Sequence, residues 1–550
     1  MKISRSPHFI RITTIFGAIT LILCLWLTVF VYWTSVHDEL LWLQSSMHYG
    51  RSTPSFHNEN HKGALGAVEH VVDALISGAV TPQIGAVLEN AEQYDTESKT
   101  QPPGNHDAGK LSHENNEAIN PSKHLINKSS AIEPEVHVIF STDCSDYQNW
   151  QSVTLFYSAL MCGQQGKITR IASGCSDIEI ADLDKTYQKL YPEHYRIGDA
   201  GGQGQDGLTF RVHYTPDFKH DEKTHQKYAF YNKPRGLKHW LANAVPSIPA
   251  NEVVALLDPD MIFLRPLTAN VRSDPTKMYN KKLFFDKSGN SIKEMQDFVV
   301  TGRPVAQLYG LGGPWADDHH KKFNRTRICG PGSACLQVSQ FDAEQYYSVG
   351  PPYLATRTDF DRIAKTWVDF VPKVYEQYPY LLAEMYAYSM AAAHEKLPHL
   401  SMYHYMVSNS EGGGEGWEYV DDLEDVCEQP SSLVEVPGQP THMGNVRVER
   451  FYEGKPLPVL FHYCQHFSIT PELSFYKGAH RDASSMSCET KPYPMCLPDT
   501  VGKHIDFKQH VRGTDIYKST RKKKRGGFAV NIIHTILNRA ISFYQKRVCS

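Results

Sequence analysis

Asp258-Pro-Asp260 stands between two apolar runs, Glu252-Val-Val-Ala-Leu-Leu257 and Met261-Ile-Phe-Leu264. Two carboxylates one residue apart suit a hard divalent cation, which takes oxygen ligands and is often held by one or two carboxylates plus the phosphates of a substrate. The chemistry would be Lewis-acid stabilisation of a departing diphosphate by Mn²⁺ or Mg²⁺ bound to Asp258 and Asp260. A strand-ending turn with two solvated acids has the same sequence, so the setting has to decide. Ligands of open α/β sheets collect outside the carboxyl ends of the strands, where these acids are expected.

Other residues can complete such a site. Lys233, Arg235 and Lys238 lie upstream on or near a candidate helix, Gly236 to Ala242 with Pro234 in its first turn, and offer positive charge to a donor nucleotide. Each is equally readable as a surface charge. Glu384 is the only carboxylate in Tyr380 to Ala393, a segment apolar almost all round. A buried charge must be paired or face a polar cleft, so Glu384 is either a catalytic group that orients an acceptor hydroxyl or a structural ion-pair partner. His462, after the β-like stretch Pro458-Val-Leu460, is either a third metal ligand or a satisfied core histidine.

These residues need a scaffold. Val136 to Phe140 and Ile168 to Ala172 read as strands, and Trp150, Val153, Tyr157 and Leu160 share one helix face between them. Strands alternating with helices predict an α/β fold with a mostly parallel sheet, and the continuous apolar run before Asp258 predicts a strand in its centre, covered on both faces. Gly198 to Gly207 is glycine-rich, but it matches neither dinucleotide-binding nor phosphate-loop spacing and is expected as a plain loop.

The chain has 550 residues with 56 Lys plus Arg against 60 Asp plus Glu. That balance provides no global field for a nucleic-acid backbone, and nucleic-acid binding is not expected. Residues 12–33 carry no charge and suffice to span a bilayer as a helix. Lys2, Arg5 and Arg11 precede them while Asp38 and Glu39 follow, which orients the rest of the chain across the membrane. The expected organisation is a cytosolic tail (1–11), a transmembrane signal anchor (12–33), a partly disordered stem (34–134), a luminal catalytic domain (135–500) and a basic C-terminal segment (501–550). A cleaved signal peptide is the alternative to the anchor. Ten of the eleven cysteines lie beyond the anchor, an even number suited to disulfides in an oxidising lumen, and Asn127 and Asn324 open glycosylation sequons.

In the C-terminal segment, Arg521-Lys-Lys-Lys-Arg525 precedes a periodic apolar pattern from Phe528 to Phe543. It reads as an amphipathic helix docked on the domain, or as one lying on a membrane. The acidic stretch Glu411 to Glu428 reads as a solvated loop or as an attractor for a basic acceptor.

Several motifs occur together in order: Trp150 to Tyr157, Gly166 to Ser173, Tyr231-Asn-Lys-Pro234, Leu257 to Ile262, Ser348 to Tyr353, Ala383 to Tyr388 and Phe461-His-Tyr463. With them the stretch from Val136 to Lys477 resembles the plant and algal hydroxyproline O-arabinosyltransferase and peptidyl serine α-galactosyltransferase group. His462 to Ile469, with Phe475 after it, tilts the resemblance toward the serine galactosyltransferases. The resemblance implies a GT-A-like nucleotide-diphosphosugar transferase fold and a UDP-sugar donor. It also implies a Golgi or endoplasmic reticulum location and transfer of one sugar, with retention, to hydroxyproline or serine of a secreted hydroxyproline-rich protein. It carries the metal-binding role to Asp258 and Asp260. Gly310 to Trp315, Cys329 to Cys335 and the acidic stretch depart from the group, which leaves the donor sugar open. A glycan or lipid acceptor, or a non-catalytic glycoprotein-binding role, are the competing readings.

Overall fold

The computed structural model describes residues 133–197, 207–271, 296–316, 323–411, 415–421, 426–427, 457–470, 472–481, 485–495 and 515–550. The tail, the anchor, all but the last two residues of the stem, Asn127 and residues 198–206 of the glycine-rich segment lie outside them. Among the described residues no helix is long and apolar enough to cross a membrane.

The core is a sheet of seven strands: β1 (Val136–Thr142), β2 (Gly166–Ser173), β3 (Leu208–Thr215), β4 (Val253–Leu257), β6 (Val305–Leu308), β7 (Val349–Thr356) and β8 (Leu400–Met402). Their order is β3-β2-β1-β4-β7-β6-β8. β4 is central as expected, but only its β1 side is parallel, since β7 pairs with it antiparallel. The β6–β7 pair is also antiparallel, and the remaining pairs are parallel. The sheet is therefore mixed and mostly parallel. Side chains of β4 alternate between two apolar clusters, Val253, Ala255 and Leu257 in one and Val254 and Leu256 in the other. Both faces are thus covered, which is why the run is apolar without alternation.

Helices α1 (Asp146–Met161) and α2 (Asp177–Leu190) follow β1 and β2, and α3 (Asn232–Asn243) precedes β4. Ser145 caps α1, and Ser176 with Glu179 forms a capping box on α2, so orphan N–H groups at both helix starts are satisfied by side chains. The Cys144–Cys175 disulfide ties these two starts together. Arg170, fully buried, fixes the loop after β1 by donating to Thr142 Oγ1 at 2.8 Å, to the Asp143 carbonyl at 2.6 Å and to Asn149 Oδ1 at 2.8 Å. Gly236 lets α3 lie close on β2, since a Cβ there would stand 3.0 Å from Ile171 Cγ2.

Helices α4 (Arg357–Gln377) and α5 (Ala383–His394) pack against each other in the second cluster. The apolar segment predicted from Tyr380 becomes helical only at Ala383, and Tyr380 and Leu381 are exposed. A three-stranded sheet stands beside the main one, with β10 (Leu460–His462) between β5 (Met261–Phe263) and β9 (Met406–Val407). A hairpin of β11 (Phe467–Ser468) and β12 (Ser474–Phe475) comes next.

The last helix, α6 (Asp515–Tyr544), buries Phe528, Ile532, Ile533, Ile536, Leu537 and Ile541 in the same cluster as Phe461 and Phe467. Its basic run meets the acidic stretch. Arg525 donates to both carboxylate oxygens of Asp421, at 2.8 and 2.7 Å, Lys524 donates to the Asp421 carbonyl at 2.8 Å, and Lys522 pairs with Glu411. Glu415 is turned inward and accepts from the N–H groups of Ser408 and Asn409 and from Trp417 Nε1. Asp422, Glu424 and Asp425 lie outside the described residues. Cys329–Cys335 and Cys488–Cys549 form further disulfides and Cys427 is also bonded, whereas Cys162 and Cys464 are free thiols. The even cysteine count therefore does not mean complete pairing. Cys162 is enclosed in the core at the end of α1.

Candidate functional site

Asp258 directly follows β4, and Asp260 directly precedes β5. Leaving a fully buried strand, the chain turns through Pro259 at the carboxyl edge of the sheet, and β5 then pairs antiparallel with β10, with Met261 opposite His462. That register, extended by the Tyr463 N–H donating to the Asp260 carbonyl at 3.1 Å, brings a C-terminal histidine onto the acidic tripeptide. His462 Nε2 lies 3.1 Å from Asp260 Oδ1 and 4.0 Å from Asp258 Oδ2. One ligand atom from each of Asp258, Asp260 and His462 lies within 4.8 Å of the others. Two carboxylate oxygens and an imidazole nitrogen are a suitable donor set for a divalent cation.

Two ammonium groups hold the carboxylates. Lys233, in the first turn of α3, places Nζ 2.7 Å from Asp258 Oδ1 and 3.2 Å from Glu384 Oε1. Lys477, which follows the β11–β12 hairpin, ion-pairs with Asp260 Oδ2. Burial alone would push Asp260 up, but the Lys477 and His462 cations outweigh it and hold its carboxyl far below the usual range. Burial would also strip the proton from Lys233, yet Asp258 and Glu384 together keep its ammonium well above the ordinary value. For His462, burial is overcome by the nearby Cys464 sulfur and by Asp260, which raise the imidazole.

Glu384 is the second residue of α5 and is 4% exposed. Its backbone is fixed by Trp367 Nε1, which donates to its carbonyl at 2.7 Å. One carboxylate oxygen takes the Lys233 bond, and the other, Oε2, is buried with no partner. Burial raises this carboxyl above its ordinary value, Lys233 opposes the rise, and Asp258 adds to it. Glu384 thus carries an ion pair on Oε1 and, on Oε2, a buried oxygen without a hydrogen-bond partner among the described residues.

The structure gathers Asp258, Asp260, His462, Lys233 and Glu384 in one place, and it does not bring Arg235 or Lys238 there. Successive helical residues turn by about 100°, so Arg235 sits roughly 200° and Lys238 roughly 140° around α3 from Lys233. Arg235 is committed to Asp221 and to the carbonyls of Phe218 and His220, and Lys238 is exposed. Lys477 escaped the sequence reading because nothing in its spacing links it to Asp260. The only available signal was a lone lysine in the motif-rich C-terminal stretch. Walls near Asp260 come from Trp150, stacked on Tyr463 with ring centroids 5.8 Å apart.

Over 133 residues, 24% of the chain, the sequence is 35% identical to the peptidyl serine alpha-galactosyltransferase of Chlamydomonas reinhardtii. Over 135 residues it is 34% identical to the protein of the same name from Arabidopsis thaliana. In both cases the matched segment spans 14% of the relative's length. The resemblance drawn from the motifs is borne out on its serine galactosyltransferase side. No family model matches the chain. Similar solved structures include the galactosyltransferase LgtC with donor and acceptor sugar analogues, at TM-score 0.29 and 10% identity, covering 60% of this chain and 87% of that one. Mouse xyloside xylosyltransferase 1 aligns at TM-score 0.27 and 9% identity, covering 60% of this chain and 97% of that one.

Proposed function

We propose that the chain is a metal-assisted glycosyltransferase of GT-A type that moves one sugar, galactose or arabinose, from a UDP-sugar to a serine or hydroxyproline side chain of a secreted protein. In this proposal the domain faces the lumen of the Golgi or endoplasmic reticulum, tethered by residues 12–33 and extended by the stem. The observation that carries it is the convergence of Asp258, Asp260 and His462 at the carboxyl end of the central strand, beside the unpartnered Oε2 of Glu384. The two named relatives support the transferase class and the peptide acceptor.

A divalent ion held by Asp258, Asp260 and His462 would supply Lewis-acid stabilisation to the leaving diphosphate. Lys233 orients two of the acids at once, fixing Asp258 toward that side and Glu384 toward the other. Glu384 Oε2 accepts a hydrogen bond from the acceptor hydroxyl and aims its oxygen at the anomeric carbon, a positioning worth several kcal/mol of barrier in general, on the order of 2–5. For retention without a covalent nucleophile, the hydroxyl attacks from the face the diphosphate leaves, and its one hydrogen, shared between Glu384 Oε2 and a diphosphate oxygen, passes to that phosphate oxygen as the bond from the anomeric carbon to the diphosphate breaks. Glu384 then positions the hydroxyl without becoming glycosylated.

The test is UDP release by the full-length protein with Mn²⁺ and a panel of UDP-sugars, with and without a serine- and hydroxyproline-rich peptide. Release stimulated by peptide with one sugar names the donor and supports the reading. Metal-independent release, or release stimulated only by a glycan or lipid, rejects the peptide-directed, metal-assisted form of it. Absence of any metal-dependent UDP binding rejects the nucleotide-sugar assignment altogether.

A further inference from the structure

We infer that Lys477 is a built-in counter-cation that a divalent metal must displace from Asp260, and that the displaced ammonium is then available to the phosphates of the nucleotide, so that metal and nucleotide bind as a coupled pair. The inference rests on the reading of Asp258, Asp260 and His462 as the metal–nucleotide site.

Both oxygens of Asp260 are already taken, Oδ2 by the Lys477 ammonium and Oδ1 by His462 Nε2 at 3.1 Å. A metal ion approaching this buried carboxylate therefore meets a resident cation. The two lysines differ in their freedom to leave. Lys233 is held by two carboxylates and its side chain is 8% exposed, whereas Lys477 is held by one and is 26% exposed. Lys477 also stands at the start of a single helical turn, Lys477–His480, after the short β11–β12 hairpin, and a four-carbon stem can swing its charge without moving a packed element. The mobile cation is Lys477.

Charge balance gives the coupling its direction. Asp258, Asp260 and Glu384 face Lys233 and Lys477, with the His462 imidazole as a further partner of Asp260, so the acids are already matched by cationic partners. Adding a divalent ion alone turns that balance positive in a site where Asp260 and His462 are 4–5% exposed, which opposes binding. A nucleotide diphosphate reverses the sign again and offers the released ammonium new anionic oxygens, which a lysine binds as a point charge. Metal alone should bind weakly and metal with nucleotide tightly, and by linkage each raises the affinity of the other by the same factor.

The experiment is isothermal titration of the full-length protein with MnCl₂, with UDP, and with each in the presence of the other, in the unaltered chain and in Lys477→Met, Lys477→Gln and Lys477→Arg. Lys477→Met is expected to bind Mn²⁺ alone about tenfold more tightly, within the range by which outer partners tune metal sites, and to lose most of the enhancement that UDP gives. Lys477→Arg keeps the charge and should stay within a few-fold of the unaltered chain. If Lys477→Met does not fold, Lys477→Gln makes the same comparison with a polar neutral side chain. Unchanged or weaker Mn²⁺ binding in the neutral variants overturns the inference. Asp258→Asn separates the two levels of the argument. If it binds Mn²⁺ as well as the unaltered chain, the metal reading itself falls; if it loses Mn²⁺ while Lys477→Met gains nothing, only the counter-cation role falls.

Discussion

The Lys233 ammonium lies 3.2 Å from Oε1 of Glu384, two buried residues brought together from the first turns of different helices, α3 and α5. The same nitrogen holds Asp258 at 2.7 Å. One cation therefore sets the position of both acids, Asp258 at the end of the central strand and Glu384 at the start of α5. Lys233→Met should leave two carboxylates facing each other without compensation and destabilise the fold by about 3–5 kcal/mol. Urea denaturation measures this, and Lys233→Met combined with Glu384→Gln should recover part of the loss, because one of the stranded charges is gone. A double variant no more stable than the single one would mean the two residues do not interact.

Asp258→Asn and Asp260→Asn should each lower metal-dependent turnover by about 10²-fold or more while the chain still folds, since the side-chain volume is kept. The two differ in stability. Asp260→Asn strands Lys477 and His462 and should melt earlier than Asp258→Asn, whose carboxylate is 21% exposed. Near-normal turnover in either variant would end the metal assignment.

Glu384→Gln keeps the shape of the side chain and removes its charge. Turnover should fall by about 10²–10⁴-fold, the usual worth of a positioned acid or base, while UDP affinity stays near that of the unaltered chain. Paired steady-state kinetics and UDP titration read the split. Normal turnover with lowered stability would leave Glu384 as the partner of Lys233 and nothing more.

Arg525→Ala should cost about 1.5–3 kcal/mol, because it removes two charge-assisted hydrogen bonds to Asp421 from a side chain that is 5% exposed. The guanidinium also lies over the Trp417 ring, 5.3 Å from its centroid, so tryptophan fluorescence should shift with the substitution. A change below about 0.5 kcal/mol, the level of ordinary surface substitutions, would show that the basic run is not needed to dock α6.

His399 provides a pH test. Its Nε2 lies 2.9 Å from the Tyr388 hydroxyl and its Nδ1 3.0 Å from the Leu397 carbonyl, a pattern that suits the neutral ring donating from Nδ1 and accepting at Nε2. Burial pushes the imidazole down to about 3. The unfolded chain therefore takes up a proton near its ordinary value that the folded chain refuses, so stability falls as pH drops from about 6.5 toward 3, with a slope of about 1.4 kcal/mol per pH unit from this residue. His399→Gln should unfold with a flatter acid dependence across that window. An identical slope in both proteins would show that His399 is not the group responsible.

Much of the scaffold is legible in the residues. The apolar run ending at Leu257 announces a strand covered on both faces, the two carboxylates after it mark the edge where ligands gather, and the spacing from Trp150 to Leu160 marks α1. Glu384 stands out because a lone carboxylate in an apolar helix has to be accounted for. What escaped was direction around a helix and pairing at long range. Lys233, Arg235 and Lys238 look alike as nearby positive charges, and only the seating of α3 on the sheet turns the first toward the acids and the other two elsewhere. The acidic stretch and the basic run were each read alone, and the fold pairs Glu411 and Asp421 with the C-terminal helix.

By itself the sequence determined local matters: which segments are apolar, which are periodic, and which short motif can take a metal, because these follow from residue types a few positions apart. Tertiary structure decided the company each charge keeps. The antiparallel register of β5 on β10 sets His462 against Asp260, and the hairpin after it returns the chain so that Lys477 reaches the same carboxylate. Electrostatic energy depends on separation in space and on burial, and neither quantity is written in the distance along the chain.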